Sequence, residues 1–210
     1  MRNPFIVIEG LDGCGKSSQA KILAERLGAL HAAQPTHDGP HGKRIRSWLA
    51  GEGEMSVDEQ IDAYADDRRW HLDNVISPEL ARRPVVCERY IGSSLAYQGI
   101  TPETWGRVLE RNSGLRTPDL TIWLITSHEV SMARISDSRS PDVLEAMGVE
   151  EHQARMARAL RVIAQTSNCG LSLVSIVDGE DSIDNVSRII EELARRLFSA
   201  MGAPFPRPRR

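Results

Sequence analysis

A glycine-rich segment near the start of the chain has the composition and spacing of a phosphate-binding loop. Residues 10–17 are Gly-Leu-Asp-Gly-Cys-Gly-Lys-Ser, which fits the pattern GxxxxGK[ST], and an apolar run precedes them. Glycines let consecutive backbone amides converge on phosphate oxygens where side chains would clash, and a following helix adds its positive N-terminal end. We therefore expect this loop to bind a nucleoside triphosphate.

Three side chains inside the loop add chemistry of their own. Lys16 places a point charge among the β and γ oxygens, and the Ser17 hydroxyl is left to ligate Mg²⁺. The local positive potential could lower the pKa of the Cys14 thiol and make it oxidisable, although use of Cys14 as a simple spacer is favoured. The loop thus predicts a magnesium-bound triphosphate as its ligand.

Two further pairs of residues are candidates for binding a second ligand. Tyr64 and Arg68 are four residues apart on a predicted helix, so an aromatic ring and a guanidinium share one face, as a pocket for a flat base requires. On spacing alone, a buried aromatic beside a solvated arginine is the favoured alternative. Glu88 and Arg89 end a predicted strand, and open α/β sheets bind ligands beyond the carboxyl ends of their strands. We expect this pair to face the phosphates; a structural ion pair is the alternative.

The elements that must position these residues alternate along the chain. Strands are predicted at 5–9, 29–33, 85–88, 120–125 and 171–177. Helices are predicted at 17–27, 43–50, 56–76, 101–111, 127–134 and 150–165, followed by a last helix with apolar residues at helical spacing from Ile183 to Leu197. The alternation predicts an α/β fold, a three-layer sandwich with a five-stranded parallel sheet flanked by helices.

Local signals set the limits of several of these elements. Gly28 and Gly51 are expected to end helices, and Ser56-Val-Asp-Glu59 has the spacing of a capping box. Pro78 is expected to stop the long helix that follows, and Thr101-Pro102 combines an N-cap with a proline at the first helical position.

Two polar segments are expected to lie outside the core. The polar segment Ser136 to Pro141 interrupts the alternation of elements between two predicted helices. It predicts a segment that extends over the site, a lid at about residues 136–150. Residues 204–210 form a Pro/Arg tail that we expect to be solvated and frayed. The sequence thus predicts one domain at residues 1–203, followed by this tail.

Composition excludes several classes of protein. The 210 residues contain 26 Lys plus Arg and 29 Asp plus Glu, a formal net charge of −3, which argues against charge-driven nucleic-acid binding. The apolar runs are too short to span a bilayer, and the first residues lack the pattern of a secretory signal. The three cysteines are widely spaced and form no disulfide framework. We therefore expect a cytoplasmic protein with reduced thiols that binds neither nucleic acid nor membranes.

Five motifs, taken in order, resemble those of thymidylate kinases. They are Glu9–Ser18, Tyr64–Arg68, Glu88–Tyr90, Ser93–Gly99 and Pro118–Leu124, and the resemblance runs from about residue 4 to 198. The string Ser-Ser-Leu-Ala-Tyr-Gln-Gly after an Arg-Tyr pair is much more specific than the loop. The resemblance implies a P-loop NTPase fold and a magnesium-dependent transfer of the γ-phosphoryl group of ATP to dTMP, in dTTP synthesis, by a homodimer.

The resemblance also implies roles for individual residues. Contacts with ATP are implied for Gly10, Leu11, Asp12, Gly13, Cys14, Gly15, Lys16, Ser17 and Ser18. Contacts with dTMP are implied for Asp12, Tyr64, Arg68, Arg89, Ser93, Ser94, Tyr97 and Gln98. The implied catalytic residues are Lys16, Asp12, Glu88, Arg89 and Arg139, with Ser17 and Glu88 at the metal.

Several of these implied roles have a stated chemistry. Arg89 holds the monophosphate with two prongs, and Tyr97 against the sugar edge could exclude a 2′-hydroxyl by crowding. Positions 11–14 of the loop contain no arginine. Arg139 of the lid is therefore expected to stabilise the migrating phosphoryl group, with Arg134 and Arg155 as weaker candidates.

Two departures from the family pattern leave other functions open. Ala33-Gln34-Pro35 stands where the family usually has Arg-Glu-Pro, so either His37, Asp38 and Lys43 replace the lost charges or the acceptor differs. Glu88 stands where the family usually has aspartate, and a Glu-Arg strand end is common in deoxynucleoside kinases. The alternatives are therefore a kinase for a modified dUMP or a deoxynucleoside, and a catalytically reduced nucleotide-binding protein.

Overall fold

A single all-parallel sheet forms the centre of the protein in a computed structural model that describes residues 2–138, 144, 148–168 and 173–206. Its strands are β1 (Phe5–Gly10), β2 (Leu30–Ala33), β3 (Val85–Glu88), β4 (Leu120–Ile125) and β5 (Leu173–Asp178), in the order β2-β3-β1-β4-β5. This confirms the predicted α/β fold with five parallel strands. Strands β3 and β4 have the predicted limits, and the other strand ends differ by one or two residues.

Helices cover both faces of this sheet and account for most of the remaining chain. They are α1 (Lys16–Leu27), α2 (Pro40–Leu49), α3 (Val57–His71), α4 (Ser77–Leu80), α5 (Ile91–Tyr97), α6 (Pro102–Arg111), α7 (His128–Ser138), α8 (Val149–Asn168) and α9 (Ile183–Ala200). A π-helical segment, Leu72–Ile76, joins α3 to α4.

The central strand β1 is buried along its whole length because helices pack on both of its faces. Ile6 and Ile8 face α1 and α9 and pack with residues such as Leu23. Phe5 and Val7 face the opposite layer. Alternate residues of a strand point to opposite faces, so an apolar residue at every position from 5 to 8 is what a doubly covered strand requires. Strand β1 pairs with β3 on one side and β4 on the other, which places the loop after β1 at the centre of the carboxyl edge.

Local capping signals set helix limits as predicted at three positions. Ser56 and Glu59 form both bonds of a capping box at the start of α3, and Thr101 caps α6. Gly28 adopts a left-handed conformation, with φ of +59°, at the end of α1. In each case the residues that satisfy the free backbone groups are close in sequence, so the pattern is sufficient to predict the limit.

Two helix limits differ from the prediction because prolines lie inside the first turn of a helix. Helix α2 begins at Pro40 and not at Lys43. The chain also remains helical beyond Pro78, to Leu80, so the predicted stop was wrong. The Ser77 amide donates to the Leu72 carbonyl across the wider π turn. Pro78 therefore falls in the first turn of α4, where a missing N–H group has little cost.

The lid and the tail were predicted to lie outside the core. Helix α7 runs to Ser138, past its predicted end at Arg134, whereas Arg139 and most of the predicted lid lie outside the described residues. In the tail, Phe205 packs edge-on against Phe198 with ring centroids 5.3 Å apart. The Arg195 guanidinium lies 4.0 Å from the centroid of the Phe205 ring. The expectation of a frayed tail is therefore wrong as far as Phe205.

None of the helices within the described ranges is both long and apolar enough to cross a lipid bilayer.

The docked tail should contribute to stability. We expect Phe205→Ala to lower the free energy of unfolding by about 1–2 kcal/mol, because the half-buried ring loses its contacts with Phe198 and Arg195. Ile183→Ala is the control, since that side chain is 60% exposed on the same helix, and should cost no more than about 0.5 kcal/mol. Urea unfolding of both variants measures the difference. Equal effects would contradict the docking of Phe205.

Candidate active site

The loop after β1 has a backbone shape that only glycine permits at three positions. Gly10, Gly13 and Gly15 have φ values of +151°, +78° and +92°. A Cβ atom on Gly10 would lie 2.5 Å from the Cys14 Sγ and 2.6 Å from the Leu124 carbonyl oxygen. These conformations and close approaches explain why the loop is glycine-rich, and they give it the shape that brings backbone amides towards an anion.

Two side chains at the start of α1 have the polar contacts expected of a triphosphate site. The Lys16 side chain is almost fully buried, and its Nζ donates to the Leu11 carbonyl and to Asp12 Oδ1, both at 3.1 Å. The Ser17 hydroxyl donates to Glu88 Oε1 at 2.7 Å. Lys16 is therefore held at the mouth of the loop, and Ser17 is joined to the end of β3.

Asp12 is the centre of a compact charge cluster. Its Oδ1 is paired with both Lys16 and Arg89, and its Oδ2 accepts a hydrogen bond from the Tyr97 hydroxyl at 2.6 Å. Burial favours the neutral acid, but the charges of Arg89 and Lys16 outweigh it and hold the pKa of Asp12 well below its usual range. Burial likewise opposes the charge of Arg89, and Asp12 outweighs it, so the pKa of Arg89 lies well above its usual value.

Arg89 adopts a backbone conformation that is unfavourable for a residue other than glycine. Its φ is +64°, which costs about 1–2 kcal/mol relative to a right-handed conformation. Its backbone N–H donates to the Ile8 carbonyl at 2.9 Å, which fastens it to β1. Its Nη2 reaches Asp12 and its Nη1 lies 3.4 Å from the Ser93 hydroxyl. The strained turn therefore aims the guanidinium at the loop.

A cavity lies beside this cluster. Its lining residues are Asp12, Gln34, Pro35, Leu49, Tyr64, Arg68, Arg89, Tyr90, Ser93, Ser94, Tyr97, Gln98 and Leu144. All eight residues expected to contact the acceptor nucleotide are among them. The structure thus brings these residues together from the loop, from α3, from the end of β3 and from α5.

Arg68 is buried in the wall of this cavity and does not extend into solvent. It is 2% exposed, and its guanidinium donates to Gln34 Oε1 at 3.0 Å, Asn112 Oδ1 at 2.5 Å, the Tyr90 carbonyl at 3.1 Å and Ser94 Oγ at 3.0 Å. Burial lowers its pKa, although the value for arginine is so high that the charge remains. The alternative of a solvated arginine was therefore wrong.

The loop after β2, residues 34–39, and the helix that follows it place different groups near the site from those that the sequence suggested. Of the three residues proposed to replace the lost charges, His37 lines the cleft over the phosphate-binding loop, whereas Asp38 and Lys43 line neither this cleft nor the cavity. Arg46, which the sequence analysis missed, lines the same cleft and donates to the Thr36 carbonyl at 3.1 Å and to the Pro35 carbonyl. It lies one turn further along α2, so no local pattern indicated that it reaches back to the loop.

The open cleft over the phosphate-binding loop is the candidate site for the triphosphate. Residues 12–18 line it, whereas Gly10 and Leu11, expected to bind with them, lie buried beneath the loop. The Arg134 guanidinium crosses this cleft and donates to the Gly179 carbonyl at 2.8 Å. Arg155 lines neither this cleft nor the acceptor cavity, and its guanidinium lies 4.6 Å from the Tyr97 ring centroid.

The residues predicted for the metal fit Mg²⁺ in chemistry and position. The Ser17 hydroxyl and the Glu88 carboxylate are hard oxygen donors that meet at 2.7 Å. No group of three or more His, Cys, Asp or Glu side chains able to hold a metal occurs in the described part of the chain. Two protein ligands are nevertheless enough, because Mg²⁺ is usually bound by one or two protein oxygens together with substrate phosphates and water.

Cys14 is 1% exposed in the floor of the loop. Burial raises the pKa of its thiol, and the charges of Lys16 and Arg89 do not outweigh that effect. The suggestion that the positive potential lowers this pKa was therefore wrong, and the geometry supports use of Cys14 as a small spacer under Gly10.

The central strand of a parallel sheet runs into a phosphate-binding loop, and a second cavity meets that loop at the partly buried Arg89. This arrangement defines a nucleoside monophosphate kinase. The thymidylate kinase family model matches residues 8–190. The chain belongs to the thymidylate kinase family.

Individual relatives and a solved structure agree with this assignment. The chain is 33% identical over 201 residues to a thymidylate kinase of Desulfotalea psychrophila, covering 92% of this chain and 95% of the relative. It is 34% identical over 218 residues to one from Synechococcus sp. strain CC9902, covering 93% and 98%. A solved thymidylate kinase structure from Candida albicans has the same fold, with a TM-score of 0.76 at 24% identity over 93% of this chain and 92% of the other.

The charge cluster should make stability depend on pH through Asp12. At pH 7 we expect Asp12→Asn to cost about 2–3 kcal/mol, because the partly buried Arg89 is left without its carboxylate partner. A carboxylate whose pKa is lowered by folding stabilises the folded state at pH values above its pKa in the unfolded chain, which is about 4. This contribution is lost as the pH falls from there through the pKa in the folded state. The difference in unfolding free energy between wild type and variant should therefore shrink below about pH 4. Urea unfolding from pH 7 to pH 3 measures it, and a constant difference would contradict the account.

Proposed function

We propose that this enzyme transfers the γ-phosphoryl group of ATP to dTMP, giving ADP and dTDP for dTTP synthesis. One observation carries the proposal: the cavity lined by all eight expected acceptor residues meets the phosphate-binding loop at Asp12 and Arg89. Family membership supports the same reaction. An acceptor in this cavity has its phosphate beside the donor's phosphates, which is the arrangement that in-line transfer requires.

At the donor side, the loop and Lys16 bind the triphosphate of ATP. Residues 12–18 line the cleft, and the buried Lys16 ammonium is held at the mouth of the loop by Asp12 and by the Leu11 carbonyl. Ser17 and Glu88 hold Mg²⁺, which when bound would neutralise charge on the β and γ oxygens. Arg134 lies over the same cleft, and Arg139 of the lid supplies a further cation to the migrating group.

At the acceptor side, the base lies between Tyr64 and Arg68. A guanidinium has five N–H groups, and four bonds from Arg68 to neighbouring residues leave one Nη1 N–H without a partner among the described residues. This N–H donates to a carbonyl oxygen of the pyrimidine. Because the other four bonds fix the guanidinium, the position of that donor is set before the nucleotide binds. Ser94 and Gln98 complete this wall of the cavity.

Arg89 and Tyr97 select the phosphate and the sugar. Arg89 is held by Asp12 on one prong and approaches Ser93 on the other, so its charge faces the cavity where a monophosphate binds. The guanidinium groups of Arg89 and Arg155 both pack on the Tyr97 ring, at 5.3 Å and 4.6 Å from its centroid. A ring held this firmly excludes a 2′-hydroxyl by crowding. A deoxynucleoside acceptor would provide no anion for Arg89, so the monophosphate is the better match.

We also propose the remaining properties that the family resemblance implied. The enzyme is a cytoplasmic homodimer that requires Mg²⁺ and binds neither nucleic acid nor membranes. Sedimentation equilibrium at the mass of a single chain would contradict the dimer.

Acceptor choice tests the proposal directly. Purified protein with Mg·ATP should consume dTMP faster than dUMP, dCMP, ribothymidine 5′-monophosphate or thymidine. The rate with dTMP should exceed that with thymidine by at least about 100-fold, because thymidine has no phosphate to bind Arg89. Release of ADP measures the rate, with Lys16→Ala as the control for contaminating kinases. Preferential turnover of thymidine would identify a nucleoside kinase instead, and ATP binding without turnover would identify the catalytically reduced protein.

The role of Arg89 gives a second test. We expect Arg89→Lys to raise KM for dTMP by at least about tenfold, because a single ammonium cannot bond Asp12 and a phosphate with the same two-pronged geometry. KM for ATP should change by less than about threefold. Arg82→Lys is the matched control, since Arg82 is 77% exposed and precedes the amino end of β3, whereas Arg89 follows its carboxyl end. An unchanged KM for dTMP would remove Arg89 from the phosphate site.

A further inference from the structure

Glu9 is an acidic residue in the most buried strand of the protein. It is 1% exposed and follows Phe5 and Val7 on a face of β1 that is otherwise apolar. It lines neither the acceptor cavity nor the donor cleft. A carboxylate is retained in such a position only when it has strong partners, so its contacts indicate what it does.

Within the described part of the chain, the hydrogen bonds to the Glu9 carboxylate come from Tyr90, which follows Arg89, and from Ser93 in the first turn of α5. Its Oε1 accepts the backbone N–H of Tyr90 at 2.9 Å and that of Ser93 at 3.1 Å. Its Oε2 accepts the Ser93 hydroxyl at 2.5 Å. Tyr90, the residue at the N-cap of α5, provides no side-chain cap of its own. Glu9 therefore caps α5 from a different strand and satisfies amides that would otherwise be buried without partners.

These contacts fix the backbone on both sides of Arg89. The Arg89 N–H donates to the Ile8 carbonyl, and the next N–H along the chain, that of Tyr90, donates to Glu9. Consecutive residues of β1 thus hold the turn in which Arg89 has its left-handed conformation. Loss of the second contact would free the chain to relax towards a more favourable φ.

Glu9 also sets the direction of the hydrogen bond to the Arg89 side chain. The Ser93 hydroxyl donates its hydrogen bond to Glu9, so its oxygen is left as an acceptor for Arg89 Nη1 at 3.4 Å. The approach of α5 is tight, since a Cβ atom on Gly92 would lie 2.8 Å from Glu9 Oε1 and 2.6 Å from Trp123. The Glu9 carboxylate, the Ser93 hydroxyl and the Arg89 guanidinium therefore form one hydrogen-bonded network.

We propose that Glu9 is a positioning residue for the acceptor site, which holds Arg89 in place through the Tyr90 amide and the Ser93 hydroxyl. Glu9 touches no substrate. The inference deepens the proposed function, and it rests on that function only for the identity of the acceptor.

Glu9→Gln is the most direct variant, because it keeps the size of the side chain and can still accept the two backbone N–H groups. Its amide NH₂ replaces Oε2, so the Ser93 hydroxyl must accept from it and no longer presents the same acceptor to Arg89. We expect KM for dTMP to rise about tenfold, with kcat within about threefold and KM for ATP within about twofold. Ser93→Ala should have a similar effect, and the double variant should be little worse than either.

Asp119→Asn is the chemically matched control. Asp119 is also a carboxylate bound to β1, partly buried and paired with Arg2 and Arg116, but it accepts the Phe5 N–H at 2.8 Å at the opposite end of the strand. It should therefore lower stability without a selective change in KM for dTMP. Proportional changes in both KM values, or the same pattern in Asp119→Asn, would show that Glu9 has only a general structural role and would overturn the proposal.

A spectroscopic readout separates this inference from the proposed function. In ¹H–¹⁵N spectra of the protein without substrate, the Nε–H signal of Arg89, assigned with Arg89→Lys, should shift in Glu9→Gln and stay in place in Asp119→Asn. Ser93→Ala should shift the same signal even if Glu9→Gln does not fold. A wild-type enzyme inactive on dTMP would defeat the proposed function alone, whereas an unmoved Arg89 signal in Ser93→Ala and any folded Glu9→Gln would defeat the role of Glu9.

Discussion

The ion pair between Asp12 and Arg89 is the interaction on which the site depends. It joins the phosphate-binding loop to the turn after β3, and Lys16 shares the same carboxylate oxygen. Two cations that would repel each other are thereby held on either side of one anion. Lys16 lines the cleft over the phosphate-binding loop and Arg89 lines the acceptor cavity, so in the proposed reaction each faces a different phosphate. The spacing between donor and acceptor is consequently built into the folded protein.

The sheet supplies the rigidity that this arrangement needs. The loop and the Arg89 turn leave adjacent parallel strands, and Ile8 is paired with Glu88 in the register that sets them side by side. Burial of β1 on both faces fixes this register, because a shift by one residue would turn Glu9 into the opposite, apolar layer. The unfavourable backbone conformation of Arg89 is then maintained by the surrounding structure, as is usual for residues that position a ligand.

Sequence patterns predicted the features whose causes are local, and the others required the folded chain. The phosphate-binding loop and the capping box at Ser56 depend on residues within one turn of each other, so their spacing was sufficient. The bonds of Arg68 to Gln34 and Asn112 join residues far apart in sequence, so its burial could not be inferred from the helix on which it lies. The same holds for the docking of Phe205. Glu9 was visible only as part of a motif, because a single acidic residue in a strand does not indicate which turn it caps.

A crystal structure with dTMP and a non-hydrolysable Mg·ATP analogue tests the central claim most directly. The account predicts that the phosphate of dTMP lies on the Arg89 guanidinium while Asp12 still bridges Arg89 and Lys16, with the γ-phosphate in line beyond. A dTMP molecule bound elsewhere, or an Arg89 turned away from the cavity with Asp12 paired to Lys16 alone, would contradict it.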